Sequence, residues 1–346
     1  MSSARVWSWV AMQRGGLEEL RLWRARGPRL SAPGDQLVRV RATTINPIDI
    51  AIIGGYGEGL LNVMRGCSGV PSWPLGVGRD LLGDLHGERV WGAIPPHRPG
   101  ALAQEVVVRD CWVGRAPSVL SAAESAALPF SGLTAAAALR AAGLGAERGG
   151  AAGARVLLLG LGGVGALALQ LLRAGGARTV AVGSGPASGA EEVLDRRSPA
   201  LLRQIHERGP YDAALDCAGL GGEFARRLRS ARLYVTLSSP LLAECDRRGA
   251  GAGLAASAAR LAAQTARSRW RGGPAVRWAY FSPCPRTLEL LRRLADGGQL
   301  RARVRVFDWR DPEWVRAAAA GCGGEAGRLV LELGSPAPNG GPGETV

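Results

Sequence analysis

Gly160, Gly162 and Gly165, with Gly163 and Val164 between them, fall inside the run VLLLGLGGVGALALQLL. A GxGxxG that follows an apolar strand-like stretch and opens a helix-like one suits a phosphate-binding turn. Gly160 makes the bend, Gly162 lets the backbone approach a pyrophosphate, and Gly165 seats the helix on the sheet. The helix start adds free N–H groups and the positive end of its dipole. The chemistry implied is dinucleotide binding, the plainer alternative being a glycine-rich turn in a chain with 51 glycines. The second half of such a site lies about 20 residues on, where a carboxylate would hold the ribose of NAD. Here TVAVGSGPAS puts Ser184 at the tip, with no acid before Glu191. A 2′-phosphate would not be repelled, so NADPH is the expected cofactor, provided that Arg196 or Arg197 folds back to meet it.

The elements that must position this turn are legible from periodicity. From about Leu133 the apolar stretches ARVLLLG, RTVAVGS, YDAALDCAG and RLYVTLSSP alternate with helical ones such as LTAAAALRAAGL and ALALQLLRAGG. Strands apolar throughout, separated by helices, indicate an α/β fold with a doubly wound parallel sheet. Before it the text is that of an irregular β-rich domain with Gly and Pro between short strands. In QLVRVRATTI, Leu37, Val40 and Ala42 oppose Arg39 and Arg41; RVWSWVAM, RVWGAI and AQEVVV give further strands. After about Pro283 a mixed helix and strand pattern resumes, long enough to return to the first domain. The expected division is 1–133 for the β-rich domain, 134–282 for the dinucleotide-binding domain, 283–334 for the return, and a disordered tail over 335–346.

The net charge of +14 would ordinarily suggest nucleic acid or an anionic membrane. Every basic side chain is Arg, and the arginines spread over the whole chain apart from denser stretches at 226–232 and 260–277. With no nucleic-acid module in the sequence, no nucleic-acid partner is expected. No apolar run reaches the roughly 18 to 20 residues of a membrane span. The six cysteines are widely separated, without a CxxC pair, so neither a disulfide framework nor a zinc lobe is suggested, and a reducing compartment such as the cytoplasm suits them. Arg5 and Arg14 in an acid-free start faintly suggest a transit peptide, but RVWSWVAM reads as a strand rather than a removable leader.

Taken together, NPID (Asn46 to Asp49), GGYG (Gly54 to Gly57), LGVGRD (Leu75 to Asp80), LPFSGLTAAAAL, the glycine turn and YDAALDCAG resemble the medium-chain dehydrogenase/reductase superfamily, in its zinc-free quinone oxidoreductase branch. The resemblance covers nearly the whole chain. It implies a GroES-like catalytic domain beside a Rossmann domain, with a cleft in which a nicotinamide passes hydride to a quinone or related enone. Asn46, Asp49 and Tyr56 match positions lining the acceptor pocket of the branch: Tyr56 would donate a proton to the acceptor oxygen, and Asn46 would hold that oxygen or the ribose. Asn before Pro is equally a turn residue, and Tyr between glycines equally a surface plug. By the same resemblance Thr134, read as starting a helix and equally as its N-cap, would meet the nicotinamide. Ser184 would meet the ribose phosphate, Leu237 would lie under the nicotinamide, and Ala279 and Phe281 would border the cofactor.

Zinc-dependent members carry Cys where this chain has Asn46, His where it has Arg79, and Cys near Phe130. An amide, a guanidinium and a phenyl ring cannot rebuild a tetrahedral N/S site, so no metal is expected. The resemblance also implies a mitochondrial address, a homodimer and a reticulon-type protein partner. The chain departs from the branch at three places. The stretch after GRDLLGD is shorter by about a hairpin. GSGPASGAEEVLDRRSP lacks most of a helix, for which Leu194 to Ile205 is the candidate replacement, and Arg196 stands where the branch has a cofactor-contacting Tyr. GCGGEAGRLVLEL lacks a His-Ala-Arg triplet. Two other readings therefore stand beside the leading one: a degenerate cofactor-binding scaffold, and an enoyl-thioester reductase.

Overall fold

The computed structural model describes residues 5–66, 73–147, 149–185, 187–321 and 327–334. The expected tail over 335–346, and Cys67 and Cys322, lie outside the described residues. The chain begins with short strands: β1 (Arg5–Ala11), β2 (Leu20–Arg26) and β3 (Asp35–Thr44). Two helices follow, α1 (Pro47–Ile53) and α2 (Glu58–Arg65), before β4 (Leu75–Gly76), β5 (Asp80–Leu85), β6 (Glu88–Ala93), β7 (Glu105–Arg109) and β8 (Val113–Arg115). In β3, Val38, Val40 and Ala42 are buried while Leu37 is exposed. Leu37 was expected to face inward with Val40, but residues three apart lie on opposite faces of a strand, and Val38 takes the inward place.

Helices α3 (Ala122–Ala126) and α4 (Pro129–Ala141) lead into the parallel half. α3 opens with a capping box in which Ser121 Oγ accepts the Glu124 N–H. α4 begins at Pro129, whose missing N–H suits a first helical position. Thr134 therefore lies well inside α4 and is no N-cap: its hydroxyl donates back to the Phe130 carbonyl at 2.7 Å. The 133/134 division falls inside the same helix.

The strands β9 (Arg155–Leu159), β10 (Arg178–Gly183), β11 (Glu192–Asp195), β12 (Tyr211–Asp216), β13 (Ala231–Thr236) and β14 (Ala275–Trp278) form one parallel sheet in the order β11-β10-β9-β12-β13-β14. Its connections carry α5 (Gly163–Ala174), α6 (Leu201–Glu207), α7 (Gly221–Arg227), α8 (Leu241–Arg248) and the long α9 (Ala250–Trp270). The order reverses between β9 and β12, and the crevice at such a switch point is where these sheets bind ligands. Buried Leu157, Leu158 and Leu159 of β9 pack on both faces, which is why the strand reads as uninterruptedly apolar.

One crossover departs from the rule that parallel strands need roughly a dozen connecting residues. β10 reaches β11 through residues 184–191 alone. Part of the stretch expected to supply a replacement helix is instead strand: Leu194, buried against the sheet, belongs to β11, and the helix starts only at Leu201. Within that short crossover Ala187 and Ala190 pack, partly buried, against the core cluster that includes Leu171 and Leu172 of α5.

The last segment returns to the front. After α10 (Pro285–Asp296), β15 (Val304–Asp308), α11 (Glu313–Ala320) and β16 (Arg328–Glu332) complete a sheet in the order β15-β16-β3-β5-β6-β8, with β7 also on β3. β16 lies antiparallel to β3, pairing Val330 with Thr44. α11 is held from below by Trp314, edge-on to Trp9 at 5.2 Å.

Candidate active site

At the end of β9 each glycine of the motif has a separate physical reason. Gly160 has φ of +94°, and a Cβ there would meet Ala218 at 3.0 Å. A Cβ on Gly165 would sit 1.9 Å from the Gly160 carbonyl oxygen, so only glycine lets α5 approach the strand. Gly162 is the N-cap of α5 and has open space where its side chain would be, the condition for a phosphate to reach the backbone. Gly163 and Val164 form the first turn. Asp216, at the end of β12, braces the neighbouring loop: its carboxylate accepts the N–H groups of Leu220 at 3.0 Å and Gly221 at 2.8 Å and the Thr236 hydroxyl at 2.7 Å.

Facing Gly163 is a group that sequence reasoning missed. Arg328 of β16 places Nη1 3.1 Å from where a Gly163 Cβ would stand, and the same nitrogen donates to Ser131 Oγ at 2.6 Å. Its Nη2 donates to Asn46 Oδ1 at 2.9 Å, Thr44 Oγ1 at 3.0 Å and Asp80 Oδ2 at 2.8 Å. Asn46 in turn donates to Asp80 Oδ2 at 2.9 Å, and the Phe130 N–H donates to Asp80 Oδ1 at 2.6 Å. Asn46, Thr44, Asp80, Ser131 and Arg328 thus form one buried polar cluster between the glycine turn and the front sheet. Arg328 Nε is buried without a hydrogen-bond partner. The signal available in the sequence was a lone Arg opening the apolar strand RLVLE.

Asp49 stands just behind. It closes a capping box with Asn46 and accepts from the Gly78 N–H at 2.9 Å and from Arg79 Nε at 2.8 Å. Arg79 spends its remaining donors on the carbonyls of Pro95, Arg98 and Gly76. Burial pushes the Asp49 carboxyl up, against the pull of Arg79. Asn46 and Asp49 are therefore adjacent, and both side chains are engaged with the protein. Phe130 stacks on Phe281 at 4.4 Å, bringing together the end of the front domain and the stretch after β14. Among the described residues no group of three His, Cys, Asp or Glu side chains is placed to hold a metal ion.

Leu237 and Ala279 follow β13 and β14 at the same end of the sheet as the glycine turn, and donate backbone N–H groups to Asp216 and Thr236. Tyr56 belongs to a second group. It is half-buried in the turn between α1 and α2, and burial, then the nearby Asp246 charge, raise its phenol above the ordinary range. Asp246 of α8 accepts the N–H groups of Gly57 at 2.8 Å and Gly59 at 2.9 Å, tying that turn to the parallel half. Tyr280 lies within electrostatic reach of Tyr56. At the far edge, Arg196 does fold back: its Nε donates to Ser184 Oγ at 2.7 Å, and both side chains are exposed.

No protein-family model matches the chain. A Drosophila melanogaster relative named NAD(P)H oxidoreductase RTN4IP1, mitochondrial, is 36% identical over 327 residues, covering 86% of this chain and 79% of the relative. A Caenorhabditis elegans relative named reticulon-4-interacting protein 1, mitochondrial, is 30% identical over 330 residues, covering 86% and 87%. The solved structure of a quinone oxidoreductase from Coxiella burnetii superposes with a TM-score of 0.73 at 22% identity, over 95% of this chain and all of that one. A GroES-like front joined to a Rossmann sheet, with the glycine turn at the switch point, is the architecture of a medium-chain dehydrogenase/reductase. Within that class the chain belongs to the RTN4IP1 family of NAD(P)H oxidoreductases.

Proposed function

We propose that the chain is a zinc-independent, NADPH-dependent oxidoreductase that reduces a quinone or related enone. The observation that carries this reading is that Arg328, whose Nη1 lies 3.1 Å from where a Gly163 Cβ would stand, is hydrogen-bonded to Asn46 and Asp80, so one side chain spans from the glycine turn to the front-domain residues. The residues present fit a dinucleotide: an open Gly162, an unspent Arg328 Nε and a helix start with free N–H groups. When bound, the nicotinamide supplies the hydride. Gly160, Gly162, Gly163, Val164 and Gly165 would hold the pyrophosphate, with Arg328 over them as a counter-charge. Ser184 and Arg196 would take the 2′-phosphate, since a guanidinium bonds a phosphate more strongly than a neutral hydroxyl. Thr134, Leu237, Ala279 and Phe281 would flank the nicotinamide.

At the acceptor, Tyr56 is the proton donor of this proposal, and its raised pKa keeps the proton on the phenol. One hydride and one proton convert an enone to its saturated ketone, and the same hydride and single proton convert a quinone to its hydroquinone. Asn46 and Asp49 act by fixing the floor of this pocket, their polar atoms being engaged with Arg328 and Arg79. The relatives' names suggest a mitochondrial location and a reticulon partner, and a homodimer suits the fold class; all three are proposals for this chain. Purified protein should oxidise NADPH with a quinone at a rate indifferent to chelators. Measurable NADPH binding with no turnover across a series of quinones and enones would sink the catalytic reading and leave the scaffold.

A further inference from the structure

The two arginine-dense stretches converge on one face. The first closes α7 and leads into β13; the second closes α9 and leads into β14. β13 and β14 are neighbours, with Leu233 opposite Ala275, so the two entering turns lie side by side. Two adjoining hollows are lined there, one by Arg226, Arg227 and Arg271, the other by Arg232, Arg269 and Arg277. Trp270, the last residue of α9, stands in sequence between Arg269 of one hollow and Arg271 of the other, and its surface is 91% exposed.

Little on this face neutralises it. Glu223 pairs with Arg226, Asp212 lies 3.9 Å from Arg232, and Arg277 turns to the Ala141 carbonyl. Arg227, Arg269 and Arg271 have no ion pair among the described residues. On neighbouring α8, by contrast, Glu244 gathers Arg247, Arg248 and Arg260. An arginine-rich composition accounts for scattered charge, but not for an indole left in water amid unpaired guanidinium groups.

We propose that this face docks on an anionic phospholipid surface, with Trp270 in the headgroup region and Arg227, Arg269 and Arg271 on lipid phosphates. An indole, apolar with one N–H donor, is most at home at a membrane–water boundary. Planar guanidinium forks match phosphate oxygens, and basic residues next to an anionic leaflet each strengthen binding by roughly fivefold. Single-stranded nucleic acid fits less well, because the protein grooves that hold it offer successive aromatic platforms. Here the second ring, Phe224, is turned inward against Tyr234 at 6.5 Å. The patch lies at the N-terminal ends of the parallel strands and the glycine turn at their C-terminal ends, so a docked molecule keeps its cleft open to solvent. The proposal is independent of the reading of the cleft.

The test is co-sedimentation of the full chain with vesicles of phosphatidylcholine alone and of equal parts phosphatidylcholine and phosphatidylglycerol. Binding to the anionic vesicles alone, weakening as salt is raised, is the expected result. Arg227→Gln, Arg269→Gln and Arg271→Gln together should weaken it on the order of a hundredfold, and Trp270→Ala about tenfold. All four sites are exposed or half-buried at the far end of the sheet, so NADPH affinity and thermal midpoint should stay at wild-type values, which shows the variants folded. Equal binding to both vesicle types, retention unchanged in the folded variants, or tighter binding to a single-stranded oligonucleotide than to anionic vesicles would each overturn the proposal.

Discussion

Arg328 meets Asp80 at 2.8 Å with side chains 7% and 0% exposed, a pair joined across most of the chain and almost wholly out of water. Removing one member leaves the other buried and uncompensated, at a cost of about 3–5 kcal/mol. Arg328→Met should therefore lower unfolding free energy by that order in a urea titration. Adding Asp80→Leu should recover part of the loss, since an apolar pair leaves no bare charge. A double variant no more stable than the single one would show that the pair does not act as a unit.

The bond between Arg196 and Ser184 predicts coenzyme preference. Arg196→Glu places a negative charge where the 2′-phosphate is proposed to sit, and NADPH affinity should fall by about ten- to a hundredfold. NADH affinity should hold or improve. Parallel fluorescence titrations read the ratio, and an equal loss for both coenzymes would remove this pair from the adenosine site.

For Tyr56 the sign of the pKa shift fixes the pH expectation. Burial first, and then Asp246, push the phenol up, so it stays protonated from neutral pH well into the alkaline range. Turnover limited by this proton donor should be flat there and decline only above the ordinary tyrosine range. Tyr56→Phe should reduce kcat by about a hundredfold while leaving the NADPH Kd unchanged. Undiminished kcat in that variant would move the donor role elsewhere.

Asp246 reaches the same turn from the other half of the molecule. Asp246→Ala frees the Gly57 and Gly59 N–H groups and loosens the segment that carries Tyr56. The expected result is a KM for the acceptor raised by about tenfold with NADPH affinity preserved, the mark of lost positioning. A simultaneous loss of coenzyme binding would point instead to general unfolding of α8.

Two cysteines should differ in reactivity. Burial pushes the Cys217 thiol up to about 12, whereas a hydrogen bond with Thr287 holds Cys284 below its usual value. Iodoacetamide at mildly alkaline pH should label Cys284 and spare Cys217 in the folded protein, as peptide mapping would show. Labelling of Cys217 at a comparable rate would mean that the strand ends beside Gly165 open readily.

The parallel sheet was legible because its strands are apolar on both faces and its glycines answer to local demands. Gly160 bends, Gly165 packs and Gly162 stays open, each within a few residues of its reason. Asp80 and Arg328 were not legible, since the 248 residues between them are closed only by the return of β16 to β3. Asp246 was missed likewise, 189 residues from Gly57. Thr134 was misread as a cap because Pro129 sets the helix start five positions earlier, and periodicity marks the middle of a helix better than its ends. Leu37 was misread because a run of alternating Val and Arg offers two registers, and only packing selects one.

The pairing of β16 with β3 also orders the steps of biosynthesis. The six strands of the dinucleotide sheet are complete at Trp278, while the front sheet still lacks the strand that carries Arg328. A nascent chain paused between those points presents the ribosome-facing world with a finished coenzyme fold. The Ala42–Thr44 edge beside it has no partner strand, and Asp80 has no countercharge. Unpaired edges invite strangers, so this interval is where a chaperone would be needed most.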